Sequence, residues 1–483
     1  MPIFKEEGRA SMARDAVIIH PPSTLTPGAN PFAIAPVGVF SLAARALAEG
    51  FDVEIVNIPL ESALTGKRYA DVIKGLEAEV YAVSLHWFVH ADGALSTVRL
   101  LKTLNPSAKV VVGGMTATLF AREVAASGVD AVVLGEGEEA LLKYLKYAIR
   151  GVEPEDWRGL YVRVGRRWID GGLSSPPSLE GLRYVEGLKV MRHAREYLQV
   201  GLHGPIAAQQ PHFWLALARG CLFDCIYCGG SREGYKLAMG RWGLASRSPA
   251  LVASELEELA SMGVRIARLT HDPQILGERW WKAFHREVRE RGLDLKVYWE
   301  SFRLPSKPLL EEASRTFAAL DVAVSPETAS EEVRFRAKRY FTNAALEKAL
   351  AAAEKVGALV EVFFLLGLPG ETERSALDIP GFAAKLLEGK RCTAIYPLIP
   401  YTIDPNSPMA LHPDEYGVKV LFKRLSDYAR AARGTRVVDF IGHETRELSR
   451  RKLGELIERV NAELAAIQRS EALELKVEFE EKP

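Results

Sequence analysis

The chain has 483 residues, more than one ordinary core can hold, so two or three domains are expected. Hydrophobic residues make up 48% and charged residues 26%, the balance of a soluble globular protein. Lys+Arg and Asp+Glu are equal at 62 each, so there is no global basic field to favour nucleic acid. No apolar run reaches about 18 residues, so no membrane span is predicted. The opening "MPIFKEEGRASMARD" is charged and lacks the apolar stretch of a secretory signal. Four cysteines, three of them clustered, do not make a secreted disulfide framework and point to a reducing cytoplasm.

Residues 15–140 alternate strand-like and helix-like segments. "DAVIIHPP" (15–22) has a buried-strand pattern stopped by prolines, "VGVFSLAARALAEGF" (37–51) reads as a helix, and "DVEIVNI" (52–58) as the next strand. "VYAVSLHW" (80–87), "KVVVGG" (109–114) and "DAVVLGEGE" (130–138) are further apolar runs ending in polar or glycine loops. Helical patterns separate them, which predicts a parallel, doubly wound sheet with its ligand beyond the strands' C-terminal ends. Residues 151–210 are less regular and read as a connector.

A second series follows. "FWLALARG" (213–220), "RIARLT" (265–270), "LKVYWES" (295–301), "LDVAVSPE" (320–327), "LVEVFFLLG" (359–367) and "CTAIYPLIP" (392–400) are strand candidates with helical patterns between several of them. Six βα-like units predict a partial (β/α)6 barrel of the TIM type. The stretch "ETRELSRRKLGELIERVNAELAAIQ" (444–468) reads as one amphipathic helix packed on it.

"ARGCLFDCIYCGGS" (218–231) holds Cys221, Cys225 and Cys228 directly after a predicted strand. Three readings are open on the residues alone. Iron–sulfur clusters are held by thiolates on such loop-like spacings, and three thiolates on a four-iron cluster leave one iron open to a substrate or cofactor. A structural zinc would need a fourth ligand, from Cys392 or His212. Cys225 and Cys228 could instead be a redox pair.

"CLFDCIYC" is similar to the CxxxCx(aromatic)C signature of radical S-adenosylmethionine (SAM) enzymes, with Tyr227 at the aromatic position. "VSPETASEEVRFRAKRYFTN" (324–343) resembles the fourth-strand segment of that superfamily, and "FFLLGLPGETE" (363–373) its fifth-strand segment and turn. Residues 15–140 resemble the cobalamin-binding domain that precedes the radical domain in one large class. The "P-x-G" helix, the "GG" after a strand and the "GEGE" turn recur there in the same order. "SLHWFVHADGAL", "CGGS" and "DPNSPMALHPDEYG" are similar to an archaeal subfamily described by its domains alone. The resemblance implies an α/β protein: a tail (1–14), a Rossmann-like cobalamin-binding domain (15–150), the connector (151–210), a radical SAM partial barrel (211–410) and a C-terminal helical extension (411–483).

It also implies roles. Cys221, Cys225 and Cys228 ligate a 4Fe–4S cluster; SAM binds the open iron and is cleaved reductively to a 5′-deoxyadenosyl radical. Tyr227 lies against the adenine, with Gly229 and Gly230 allowing close backbone approach. Asp272 accepts from the methionine ammonium in place of the GGE motif that many members carry. Glu300, Ser325 and Glu327 suit the ribose hydroxyls, and Arg336 or Lys338 the methionine carboxylate. Leu366, Gly367 and Gly370 shape a turn beside the adenine. In the first domain, Ser84, Gly113, Gly114 and Thr116, with the turn Gly135, Glu136 and Gly137, line the cobalamin edge. "HPPSTLTPG" stands where many cobalamin proteins carry DxHxxG, so the lower cobalt ligand is open, with His86 and then His90 as candidates.

The reaction this class implies is methyl transfer to an unactivated carbon, whose C–H bond has no lone pair to attack a sulfonium. The alternatives are a cobalamin-dependent rearrangement or cyclisation without methyl transfer, and a non-enzymatic iron–sulfur or zinc protein. Expected partners are a small-molecule, lipid or peptide substrate and an electron donor such as ferredoxin or flavodoxin, with no nucleic acid.

Overall fold

The computed structural model describes residues 13–26, 32–201 and 210–467. The expected tail up to residue 12, residues 27–28 of "HPPSTLTPG" and the chain beyond residue 467 lie outside them. The chain divides into two units. The first comprises the described part of Met1–Gln209 together with Tyr235–Trp242 and Lys423–Gly434; the second comprises Gln210–Gly234, Gly243–Phe422 and the described part of Thr435–Pro483.

The first unit is built on one sheet of seven strands: β1 (Arg14–His20), β2 (Val53–Asn57), β3 (Ala78–Ser84), β4 (Lys109–Gly113), β5 (Ala131–Val133), β6 (Leu160–Val164) and β7 (Arg167–Asp170). Its order is β2-β1-β3-β4-β5-β6-β7, parallel through β5 and antiparallel after it. Strands buried on both faces read as continuous apolar runs: Ala16 to Ile19, Val80 to Val83 and Val110 to Val112 are all buried. Local chemistry sets the ends. After β2, Asn57 caps the next helix, its side chain accepting from the Leu60 amide at 3.1 Å, and that helix stops at Gly66 in the left-handed conformation. The strand order reverses between β2-β1 and β3, so the switch point lies at the C-terminal ends of β1 and β3. The stretch read as a connector supplies the β6–β7 hairpin that extends this sheet.

The second unit holds β8 (His212–Leu215), a short antiparallel pair of β9 (Ala218–Gly220) and β10 (Leu244–Ser246), then β11 (Ile266–Leu269), β12 (Lys296–Ser301), β13 (Ala319–Glu327), β14 (Leu359–Phe364) and β15 (Thr393–Ile395). The main sheet runs β15-β14-β13-β12-β11-β8, every neighbour parallel. Helices Pro249–Ser261, Glu278–Glu290, Lys307–Ser314, Asn343–Lys355 and Ile379–Leu387 make the crossovers, giving the six-stranded partial barrel. β16 (Val418–Val420) and β17 (His443–Thr445) pair antiparallel, and the helix Arg450–Ile467 packs on Ile379–Leu387. Among the described residues no helix is long and apolar enough to cross a membrane.

Candidate active site

The cysteine loop begins where β9 ends. Cys225 is buried, Cys221 and Cys228 are partly so, and all three are free thiols. Backbone hydrogen bonds coil the loop on itself: Cys228 N–H donates to Cys225 O at 3.2 Å, Ser231 N–H to Cys228 O at 3.1 Å, and Arg232 N–H to Phe223 O at 2.8 Å. Burial pushes all three thiols above their ordinary range, so the protein by itself does not favour thiolates here. An all-thiol donor set whose ionised form needs an added positive group fits an iron–sulfur cluster.

Neither fourth zinc ligand is in reach of that role. His212 opens β8 and Cys392 immediately precedes β15, so both sit at the N-terminal ends of parallel strands while the cysteine loop follows a C-terminal end. Among the described residues no three His, Cys, Asp or Glu side chains converge on a point that could hold a single ion. A cluster does not ask for that convergence, because each thiolate takes its own iron.

The other expected residues of this unit gather at the same C-terminal edge. Glu327 closes β13 in a left-handed conformation (φ 66°) beyond a register shift at Val324/Glu327, which turns its buried carboxylate toward the loop. Tyr227 donates its hydroxyl to Glu327 Oε1 at 2.6 Å. Ser325 lies two residues earlier and its carbonyl accepts from Arg339 at 2.9 Å. Glu300, near the end of β12, is exposed, and the surrounding protein, with the charges of Glu361 and Glu327, pushes its carboxyl up. Leu366 is buried, and Gly367 and Gly370 take positive φ (104° and 86°) in the turn after β14. His443 of β17 meets Gly367 O through Nε2 at 2.8 Å, and Gly367 N–H donates to Glu371 at 2.9 Å.

Two of the expected residues have other partners within the protein. Asp272, after β11, is fully buried with both oxygens committed: Oδ1 accepts from Gln274 N–H at 2.8 Å, and Oδ2 from Phe302 and Arg303 N–H at 3.0 and 3.3 Å. It ties the ends of β11 and β12 together, and burial holds it up at about 6. Arg336 is exposed and paired with Glu332 at 2.6 Å, its guanidinium lying against Gly370; Lys338 reaches Tyr416. The cation beside the cysteines is Arg339. Lys338 adopts φ 60°, which reverses the chain after the helix Glu331–Arg336 and sends Arg339 inward. There it is buried, donates to Phe302 O and Ser325 O, and lies 3.9 Å from Glu327. "RFRAKRY" marked the segment, but only the backbone reversal selects the residue.

Tyr401, Asp404 and Asn406, the last two within the quoted "DPNSPM", carry no site role in the sequence reading. The Tyr401 hydroxyl donates to Tyr227 O, Asp404 Oδ2 accepts from Gly229 N–H at 2.8 Å, and Asn406 Nδ2 donates to Gly229 O at 2.6 Å. Gly229 is glycine for a steric reason: a Cβ there would stand 2.5 Å from Asn406 Oδ1. At Gly230 a Cβ would make only ordinary contact with Cys228 Sγ, at 3.4 Å.

In the first unit the expected cobalamin residues also share one edge. Ser84 and Gly113 are register partners at the ends of β3 and β4. Gly114 (φ 119°) lets the chain pass so near the β3 loop that a Cβ would lie 2.6 Å from the His86 backbone. The glycine is required by this close packing of the β4 turn against the β3 loop at the C-terminal edge of the sheet, the edge where ligands bind in doubly wound folds. Thr116 and Glu136 each have a partner within the protein. Thr116 is buried and donates to His86 O at 3.0 Å; Glu136 is buried in an ion pair with Arg241 at 2.6 Å, inside the turn formed with Gly135 and Gly137. His86 stands half-buried beside Trp87, their rings 5.5 Å apart. His90 is fully buried against His20, its Nε2 3.4 Å from Phe32 O, and is held well below the usual histidine range by burial. It is a packed histidine.

The sequence matches the B12 binding domain family over residues 31–145 and the Radical SAM superfamily over residues 215–382. A comparison with curated proteins gave no match. Among solved structures, the chain is similar to the radical S-adenosylmethionine methyltransferase TsrM from Kitasatospora setae with cobalamin and [4Fe-4S] cluster bound. The TM-score is 0.66 at 17% identity, over 95% of this chain and 92% of that one. It is also similar to the cobalamin-dependent S-adenosylmethionine radical enzyme OxsB with aqua-cobalamin and S-adenosylmethionine bound, with TM-score 0.55 at 12% identity, over 92% of this chain and 61% of that one. These likenesses concern the fold. With a B12 binding domain followed by a Radical SAM domain, the chain is a cobalamin-dependent-type radical SAM enzyme.

Proposed function

We propose that this enzyme transfers a methyl group to an unactivated carbon of its substrate. One observation carries the reading: three free cysteines lie at the C-terminal mouth of a partial barrel, with both candidate fourth ligands at the opposite strand ends, in a chain that also carries a B12 binding domain. The likeness of fold to TsrM, a radical SAM methyltransferase, supports methyl transfer over rearrangement.

When bound, the cluster supplies the electron that splits SAM and cobalamin carries the methyl group. The chain's own residues do the rest. Cys221, Cys225 and Cys228 hold the cluster. Tyr227 is fixed by Glu327, whose charge Arg339 balances, so the aromatic ring beside the last cysteine is held in one orientation. The turn Leu366–Gly370 packs against His443 and Arg336, and His443 and Glu371 hold it rigid by hydrogen bonds to Gly367. Glu300, exposed near the end of β12, can accept from hydroxyl or ammonium donors.

Anaerobic reconstitution with iron, sulfide and hydroxocobalamin, followed by mass spectrometry of the SAM products, tests this. Methyl transfer predicts 5′-deoxyadenosine and S-adenosylhomocysteine together, with a product one methyl group heavier. Deoxyadenosine without S-adenosylhomocysteine would replace it with the rearrangement reading.

A further inference from the structure

"DPNSPM" (404–409) was singled out in the sequence and has no role in the reaction as described. Within the second unit it follows β15 and grips the cysteine loop by its backbone. The Tyr401 hydroxyl donates to Tyr227 O, Met409 N–H to Ile226 O at 2.8 Å, and Gly229 N–H to Asp404 Oδ2 at 2.8 Å. Asn406 Nδ2 donates both to Gly229 O at 2.6 Å and to Gly234 O at 3.0 Å. Gly229, the residue following Cys228, is therefore held at both of its backbone groups, N–H by a carboxylate and C=O by an amide, from side chains about 175 residues away in sequence. Asn406 is almost fully buried. The segment is itself braced, since Ser407 donates to Asp404 O through Oγ at 2.8 Å and through N–H at 3.0 Å.

Two consequences follow from the chemistry. A loop gripped at residues 226, 227, 229 and 234 holds its thiols in place before any metal arrives, which removes ordering entropy from cluster uptake. A carboxylate bonded to the peptide after a ligating cysteine also puts negative charge beside the cluster, and reduction adds more negative charge there. Net charge and hydrogen bonding around the sulfurs set cluster potential. We propose that Asp404 and Asn406 are positioning residues of the cluster: Asn406 preorganises the cysteine loop, and Asp404 both anchors it and lowers the cluster's reduction potential. The proposal rests on the cluster reading above.

The test uses the full-length chain with Asp404→Asn, Asp404→Ala and Asn406→Ala. Asp404→Asn keeps an acceptor for Gly229 N–H and removes the charge. It should retain wild-type iron and sulfide content while its reduced-to-oxidised ratio at a fixed potential rises roughly tenfold, about 59 mV for a one-electron couple. Asp404→Ala and Asn406→Ala should lose iron to a chelator roughly tenfold faster. In the cluster-free chain, hydrogen exchange across residues 226–234 should quicken in Asn406→Ala even though the rest of the barrel exchanges as in wild type, a readout that needs no cofactor. A wild-type chain that takes up the cluster, with unchanged potential in Asp404→Asn and unchanged exchange in Asn406→Ala, overturns the proposal alone. A wild-type chain that takes up no cluster overturns it together with the cluster reading.

Discussion

Arg339 and Arg336 stand three residues apart and do unrelated things. Arg336 is a solvated side chain in an i,i+4 pair with Glu332, a type of contact that contributes little. Arg339 is buried between two backbone carbonyls and the carboxylate of Glu327, which in turn holds Tyr227. Its removal leaves a buried carboxylate without its cation. Arg339→Ala should cost about 3 kcal/mol or more in urea unfolding, against less than about 0.5 kcal/mol for Arg336→Ala. Equal costs would mean that Arg339 is not the internal cation. The sequence could place positive charge near the site, because "RFRAKRY" is visible as a run. It could not say which residue turns inward, since that depends on Lys338 adopting φ 60° against its ordinary preference.

Among elements, the turn after β14 is the most constrained. Glu371 is fully buried, one oxygen holding Gly367 N–H, and burial keeps its carboxyl up at about 7 against an ordinary 4.5. Below about pH 4.5 the folded and unfolded chains both carry the proton, and the favourable condition is fully present. As pH rises toward 7 the unfolded chain ionises while the folded chain keeps its proton, so stability falls, and the loss is complete above that. The shift corresponds to roughly 3 kcal/mol. Wild type should therefore lose that much relative to Glu371→Gln between about pH 4.5 and pH 8 in urea unfolding, and parallel profiles would refute it. "GLPGETE" was readable as a turn; the buried state of its glutamate was not, because that depends on the barrel wall and on β17, which supplies His443 from 76 residues further on. β13 makes the same point. Its apolar run marked a strand, whereas the register shift that aims Glu327 at the cysteine loop is a property of pairing with β14.

At the scale of the whole chain, alternation of apolar runs with helical patterns was enough to read two α/β units and the parallel order within each. Less legible were parts whose partners are far away in sequence. The β6–β7 hairpin looks irregular because its strands are short and only one side of β6 meets a buried neighbour, while Lys423–Gly434 groups with the first unit although it lies after the barrel. "DPNSPM" reads as a surface loop by composition and acquires meaning only beside residues 226–234.

The central claim is that three thiolates hold a four-iron cluster and leave one iron free. The most direct check is electron paramagnetic resonance of the reduced, reconstituted chain with and without SAM, alongside iron and sulfide analysis. The account predicts about four irons and four sulfides per chain, a signal that SAM displaces, and loss of both in Cys225→Ala. A stoichiometric cluster whose signal ignores SAM, or one that survives intact in Cys225→Ala, would contradict it.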